Sequence, residues 1–365
     1  MTPRTMALWI ACGIAAASGP ALAGAAPEDA PRGGPLFRVL QGGKWGYIDG
    51  SGRMAIEPRF QRAGDFSDGL AAAQLDGRQG YVDETGRMVL VPDWPPVDPV
   101  HRRFANGLAA VRVGQRFGFM DRTGRLAIPP RFTSVDDFSE GLAMACDEST
   151  CAWIAASGKA VVGPGFMSGT PAHNGVIAAY MAMGMSRKKV WLMRADGQRI
   201  PGEFEDAGNL AEGLIPVRLG GEWGYADEQG KQAIPLRWLW AGDFSEGLAV
   251  VKLDRGACTY IDRKGNPAFA GTFRDCGPFS NGRARVDLAR SETERARIAF
   301  IDRTGTPVIV AERASPPFDS ALDFRNGLAA VAVGGAVQMV GPEAANGPLL
   351  GYIDPSGRYV WKPSR

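Results

Sequence analysis

The residues best suited to chemistry in this 365-residue chain are a run of recurring aspartates, five cysteines and only two histidines. Asp49, Asp83, Asp121, Asp227, Asp262, Asp302 and Asp354 each open a D-x-x-G segment. Carboxylates can gather around calcium, but that ion wants about six to eight oxygens, and each Asp stands alone without D-x-D-x-D spacing. Glycoside hydrolysis needs two carboxyl groups about 5 to 9.5 Å apart, and no pair outside the turns nominates itself. A residue repeated in every copy of a motif serves what every copy needs, so these side chains are read as acceptors for nearby backbone N–H groups in a turn. His101 lies in a Pro-rich stretch beside Arg102 and Arg103, and His173 in a degenerate motif; neither has an evident acid partner. No G-x-S-x-G elbow, phosphate-cradling loop or H-E-x-x-H helix occurs. The expectation is a protein without catalytic residues, metal or cofactor.

Charge narrows the partners. Lys and Arg number 41 against 39 Asp and Glu, a net charge of +2, which excludes a strongly basic nucleic-acid binder. Arg4, the apolar run from Met6 to Ala17 and the Ala21-x-Ala23 step read as a secretory signal over residues 1–23, cut before Gly24. Residues 24–35, rich in Pro, Gly and Ala, read as a flexible leader. No later apolar stretch reaches the ~20 residues a spanning helix needs, so no transmembrane segment is expected after cleavage, and the location is periplasmic or secreted. Cys12 leaves with the signal. Cys146, Cys151, Cys258 and Cys276 remain, and an even number in an exported chain favours disulfides. Cys146 with Cys151 across a hairpin and Cys258 with Cys276 are the expected pairs, with two other connectivities or four buried thiols as alternatives.

The elements that carry these residues repeat. The turn glycines Gly52, Gly86, Gly124, Gly158, Gly197, Gly230, Gly265, Gly305 and Gly357 mark nine copies with a basic length near 34 residues. An aromatic two residues before the Asp position appears in eight of them, and the fifth has Leu192. A second motif interleaves: aromatic, any residue, Asp/Glu/Asn, Gly, Leu, Ala, as in Phe66 to Ala71 and Phe244 to Ala249. Period-two alternation from Trp45 to Ile48, the turn, and a return from Arg53 to Ile56 read as a hairpin. Pro58 is expected to end the second strand, and Leu70 to Gln74 reads as a third.

Lys44-Trp45-Gly46-Tyr47-Ile48-Asp49, Glu222-Trp223-Gly224-Tyr225-Ala226-Asp227 and the Asp-Phe-Ser-Glu/Asp-Gly-Leu-Ala runs at Asp65, Asp137 and Asp243 resemble the WG repeat family of bacterial proteins. The resemblance covers about Leu36 to Pro363, and the Trp-Gly pair itself survives only twice. It implies tandem β units and carries no activity, so it transfers no site residues.

The expected fold is all-β: about nine three-stranded repeats over residues 36–363, stacked in an open, curved, solenoid-like array. A closed β-propeller is the alternative, disfavoured because ~34 residues show only three strands where propeller blades use four in ~40 to 45. Repeat folds keep the core constant and vary the loops of the face they use, so insertions locate function. They fall at Trp94 to His101, Met181 to Lys189, Asp287 to Arg297, Ala311 to Ala321 and Ala336 to Leu350. Trp94, His101, Arg102, Arg103, Arg187, Lys188 and Lys189 are the candidate binding residues. The expected function is binding or scaffolding in the cell envelope, with a protein or glycan as ligand; the alternative is an envelope glycan-processing enzyme on a propeller. N-terminal sequencing of the mature protein should begin at Gly24, and an unprocessed cytoplasmic chain would overturn the export reading.

Overall fold

Each D-x-x-G segment closes a hairpin because its aspartate organises the turn before the strands pair. Asp49 Oδ1 accepts from the amide of Ser51 at 2.9 Å, its hydroxyl at 2.6 Å and the amide of Arg53 at 3.1 Å, while the Gly52 amide donates to Asp49 O. Gly52 has φ +84°, open to glycine at little cost. The strands so joined are Lys44–Ile48 and Met54–Phe60. The second motif is also a turn. Asp68 and Gly69 both have positive φ, 51° and 72°, the backbone of a two-residue hairpin turn, and Ser67 and Leu70 exchange both backbone bonds across it. Leu70–Leu75 then pairs with Arg78–Asp83.

The computed structural model describes residues 34–92, 103–182, 188–253, 256–289, 291, 293–339 and 347–364. The signal and nearly all of the leader read from the sequence lie outside the described residues. Among the described residues the strands form nine antiparallel sheets. In chain order these blades span 37–60, 62–90, 108–132, 134–166, 168–204, 206–238, 240–262, 275–310 and 320–364. A full blade is a meander of four strands: a short strand, then the third strand of one repeat, then the first and second strands of the next. Blade two shows the order, with Arg62–Ala63 beside Leu70–Leu75, Arg78–Asp83 and Met88–Leu90.

The blades are arranged radially as a closed β-propeller, and the open, curved array expected from the sequence is incorrect. Two observations account for the difference. The missing fourth strand is only two residues long in six of the blades, and in most of them follows its predecessor almost directly, so it needs little extra length. The seam seen between several neighbouring blades also recurs between the last and the first. The Tyr47 hydroxyl of blade one donates to Gly64 O of blade two, as Tyr225 does to Gly242 O and Tyr260 to Gly277 O. Tyr352 of blade nine donates likewise to Arg38 O of blade one at 2.8 Å, where the short strand is absent from the described residues. The Ser364 hydroxyl reaches Leu40 O, and Phe37 meets the Tyr352 ring edge-on. One apolar cluster runs from Leu350 and Tyr352 through Val39, Tyr47 and Phe60 to Ala71 and Val82.

The expectation that Pro58 ends the second strand is also corrected. Met54–Phe60 continues through it with a bulge, so that Phe60 faces Trp45 and is fully buried between blades. A proline is tolerated there because the strand is a sheet edge with an irregular ladder.

The turn glycines seal the ring. A Cβ on Gly86 would strike Ile56 of blade one, on Gly265 Ile234 of blade six, and on Gly52 the carbonyl of Val360 in blade nine. Gly52→Ala should therefore cost about 1 to 3 kcal/mol and lower the melting temperature, while Gly50→Ala, which meets nothing within 4 Å, should not; equal effects in thermal denaturation would contradict the closed seam.

Candidate functional site

Ladder directions sort the loops onto two faces. Leu70 pairs with Asp83 and Leu75 with Arg78, so D-x-x-G turns and second motifs share one face, here the turn face. The hairpins joining third to first strands open on the other, the loop face.

On the turn face the polar groups are spent on holding blades together. Asp68 accepts from the Gly107 amide of the next blade at 2.8 Å, Asn106 from Gly141, Glu140 from Asn174 and Gly175, Glu212 from Gly247, Glu246 from Gly282 and Asn281 from Gly327. Between blades five and six, His173 Nδ1 and Asn174 both contact Leu210 O. Packed sheets stand about 10 Å apart, so equivalent residues linked through one short side chain lie at the inner rim, where blades converge. Glu140, Glu212 and Glu246 hold φ near +50°, a conformation uncommon for glutamate, and each carboxylate is secured by the next blade. The turn aspartates are equally occupied. The hydroxyl of Ser51 holds Asp49 down at about 2, and those of Thr123 and Thr304 depress Asp121 and Asp302.

On the loop face three insertions meet. Asp287 is buried, 4% exposed, and its Oδ1 accepts from the amides of Ala289 and Arg297, both at 2.9 Å, pinning the insertion at its two ends. Arg274 Nε donates to Asp287 Oδ2 at 2.8 Å, and its Nη1 donates to Ser291 O and Glu294 O. From this insertion Arg295 reaches Asp319 at 2.5 Å and Arg297 reaches Glu312 at 3.3 Å, both in the second insertion. Asp319 also accepts from Gly334 N, and Ser320 bonds Gly335 O and Val337 N, at the start of the third. Three successive loops within residues 287–350 thus form one surface on blades eight and nine, with Arg295 86% exposed upon it.

Of the candidate residues named from the sequence, only Arg103, Lys189 and the four cysteines have described side chains. Trp94, His101, Arg102 and Arg187 lie outside the described residues, and only the backbone of Lys188, at the start of a strand in blade five, is described. Arg103 pairs with Asp137 of the next blade and Lys189 with Glu203. Cys146 is bonded to Cys151 across the blade-four hairpin, and Cys258 to Cys276 between blades seven and eight. Sequence reasoning missed Arg59, Arg131 and Arg237, which reach the turn-glycine carbonyls Gly86, Gly158 and Gly265 of the following blade. Their signal was present: each stands seven residues after its own turn glycine. Among the described residues no group of three or more His, Cys, Asp or Glu is placed to hold a metal, and no helix is long and apolar enough to cross a membrane.

The family model described as "WG containing repeat" matches residues 45–78, 117–150, 198–223, 223–255, 259–288 and 299–335. No curated protein matches the chain in sequence. Among solved structures it is similar to "the eukaryotic initiation factor", with 11% identity, TM-score 0.62, and 89% of this chain and 94% of that one covered. BamB from Moraxella catarrhalis aligns at 11% identity and TM-score 0.43 over 71% of this chain and 90% of its own. PorZ of Porphyromonas gingivalis, from a type-IX secretion system, aligns at 12% and 0.29 over 90% and 52%. At such identities the first shows likeness of fold alone.

The Asp287 carboxyl is held below its ordinary value although burial opposes this, because the amides of Ala289 and Arg297 and the Arg274 guanidinium outweigh it. A lowered folded pKa adds stability that is present above the unfolded value near ~3.9 and is lost as pH falls through the folded one. Asp287→Ala should cost roughly 3 kcal/mol, the loss expected when one partner of a buried pair is removed. In chemical denaturation the difference between wild type and variant should shrink below about pH 4; a difference independent of pH would refute the ionic anchor.

Proposed function

The chain belongs to the WG-containing repeat family, and on that footing we propose that it is a non-enzymatic binding protein of the bacterial envelope, holding a protein or glycan on the loop face of blades eight and nine. The observation that carries this reading is the linking of the first two insertions through Arg295 to Asp319 and Arg297 to Glu312, with Asp319 also accepting from Gly334 beside the third. Loops that had merely lengthened, which costs little, would have no reason to share an acceptor. Loops on a rigid scaffold are also where repeat proteins place recognition. An extracytoplasmic location is supported by the signal pattern at Arg4 to Ala23 and by the two disulfides, which persist in oxidising compartments.

The enzymatic reading has less to draw on. The recurring carboxylates are committed to turns and seams, and Asp275 and Asp323 flank Arg285 as an ion-paired trio. A photo-crosslinker placed at Arg313 on the loop face and, separately, at Lys159 on the turn face tests the assignment in envelope extracts. Crosslinks from position 313 alone are expected. Crosslinks from position 159 alone, or sugar release from envelope polysaccharide by the purified protein, would overturn it.

A further inference from the structure

The two disulfides play different parts. Cys146–Cys151 lies within one blade, whereas Cys258–Cys276 joins the strand Cys258–Asp262 of blade seven to the opening strand of blade eight, Asp275–Ser280. That strand is the base of the insertion surface. Cys276 pairs with Val286 and Asp275 with Asp287 in one ladder. Arg274, two residues before Cys276, supplies the bonds to Asp287, Ser291 O and Glu294 O that fix the insertion.

Behind this ladder blade seven offers little support. Its sheet has three strands, and the second strand is reduced to isolated bridges, Cys258 with Phe273 and Ile261 with Pro267. Phe273 faces Cys258 as Phe60 faces Trp45, so Thr272 stands where Arg59 reaches into the following blade. Its short side chain cannot make that guanidinium link. The remaining links across this seam, Tyr260 to Gly277 O, Ser245 to Phe279 O and Glu246 to Gly282 N, run from mid-blade to the turn face. At the loop-face end, among the described residues, the covalent bond joins the blades beside the apolar packing of Phe273, Leu288 and Val310 in one cluster.

We infer that Cys258–Cys276 is a redox latch for the insertion surface: with the bond closed, Arg274 and Asp287 hold the loops of blades eight and nine in place, and with it open those loops loosen while the ring stays closed. This rests on the binding reading above for its consequence, that partner binding belongs to the oxidised protein. The opening step is thiol–disulfide exchange with a dithiol reductant. One thiolate attacks a sulfur, the S–S bond breaks, and the second thiol completes the exchange. Cys258 and Cys276 thereby gain two electrons and two protons as the reductant closes to its own disulfide.

Hydrogen exchange followed by mass spectrometry on the whole chain tests the latch without any partner, so failure of the binding reading leaves the test intact. The starting protein carries Cys146→Ser and Cys151→Ser, leaving one disulfide to open with a dithiol. Peptides covering 288–297 should exchange roughly tenfold faster or more on reduction, as local opening does when a constraint is removed, while peptides covering 44–60 keep their protection. A Cys258→Ser, Cys276→Ser chain should behave as the reduced protein in both regions. Unchanged exchange over 288–297 after complete reduction would overturn the inference. So would equal acceleration over 44–60, which would make the bond a general staple of the ring.

Discussion

The constraint on which the molecule depends is the approach of each D-x-x-G turn to the second strand of the preceding blade. That approach needs a backbone at positive φ with no Cβ, and nine glycines from Gly52 to Gly357 supply it. Once a turn is seated, other bonds across the same seam follow from it. The aromatic of the first strand is carried to within reach of the next blade, where Tyr47, Tyr225 and Tyr260 deliver hydroxyls to carbonyls that would otherwise be buried without a donor. A turn glycine meets the preceding blade at each of the nine steps. Blade nine therefore meets blade one in the geometry already used elsewhere, and Gly52 packs on Val360 as Gly86 packs on Ile56.

This arrangement explains why many carboxylates give no chemistry. An aspartate that accepts two amides and a hydroxyl within four residues, as Asp49, Asp121 and Asp302 do, has its lone pairs committed and its acidity raised. It is poorly suited to take a proton near neutral pH. The inner-rim Asp and Glu residues accept from amides of the neighbouring blade instead. The turn aspartates Asp49, Asp121 and Asp302, held below their ordinary value by the hydroxyls and amides they accept, tie the stability of their hairpins to the ionised carboxylate, a dependence felt on the acid side.

Much of this was legible in the residues. The period, the hairpin turns, the core aromatics and the role of the turn aspartates follow from spacing and turn chemistry alone. Closure was not, because it rests on a two-residue strand such as Arg62–Ala63 that has no periodicity to detect, and on the orientation of one blade against the next. The candidate surface was half legible. Insertion lengths marked Asp287 to Arg297, Ala311 to Ala321 and Ala336 to Leu350 as departures from the repeat. That they meet depends on blades eight and nine being neighbours and on Arg295 reaching Asp319, a contact between residues unrelated by the repeat. The basic residues of the other insertions drew attention by composition, yet Arg103 and Lys189 are occupied by Asp137 and Glu203.

The two faces are unequal in what they can tolerate. Turn-face glycines such as Gly52, Gly86 and Gly230 lie against the preceding blade, whereas a Cβ on Gly42, Gly43, Gly77, Gly114, Gly220 or Gly221 of the loop-face hairpins would meet nothing within 4 Å. A lengthened turn on the first face would unseat a seam, and all nine turns, seven of them D-x-x-G, keep one length. A lengthened hairpin on the second face displaces only water and costs little in closure entropy. Variation is therefore channelled to the loop face by the packing that closes the ring. An insertion there still has to satisfy its own backbone groups, and the buried Asp287, bonded to both ends of its loop and to Arg274, is how this chain meets that demand. The same packing that commits the turn aspartates and the inner-rim carboxylates of the turn face to turns and seams thus leaves the opposite face the freer of the two to vary.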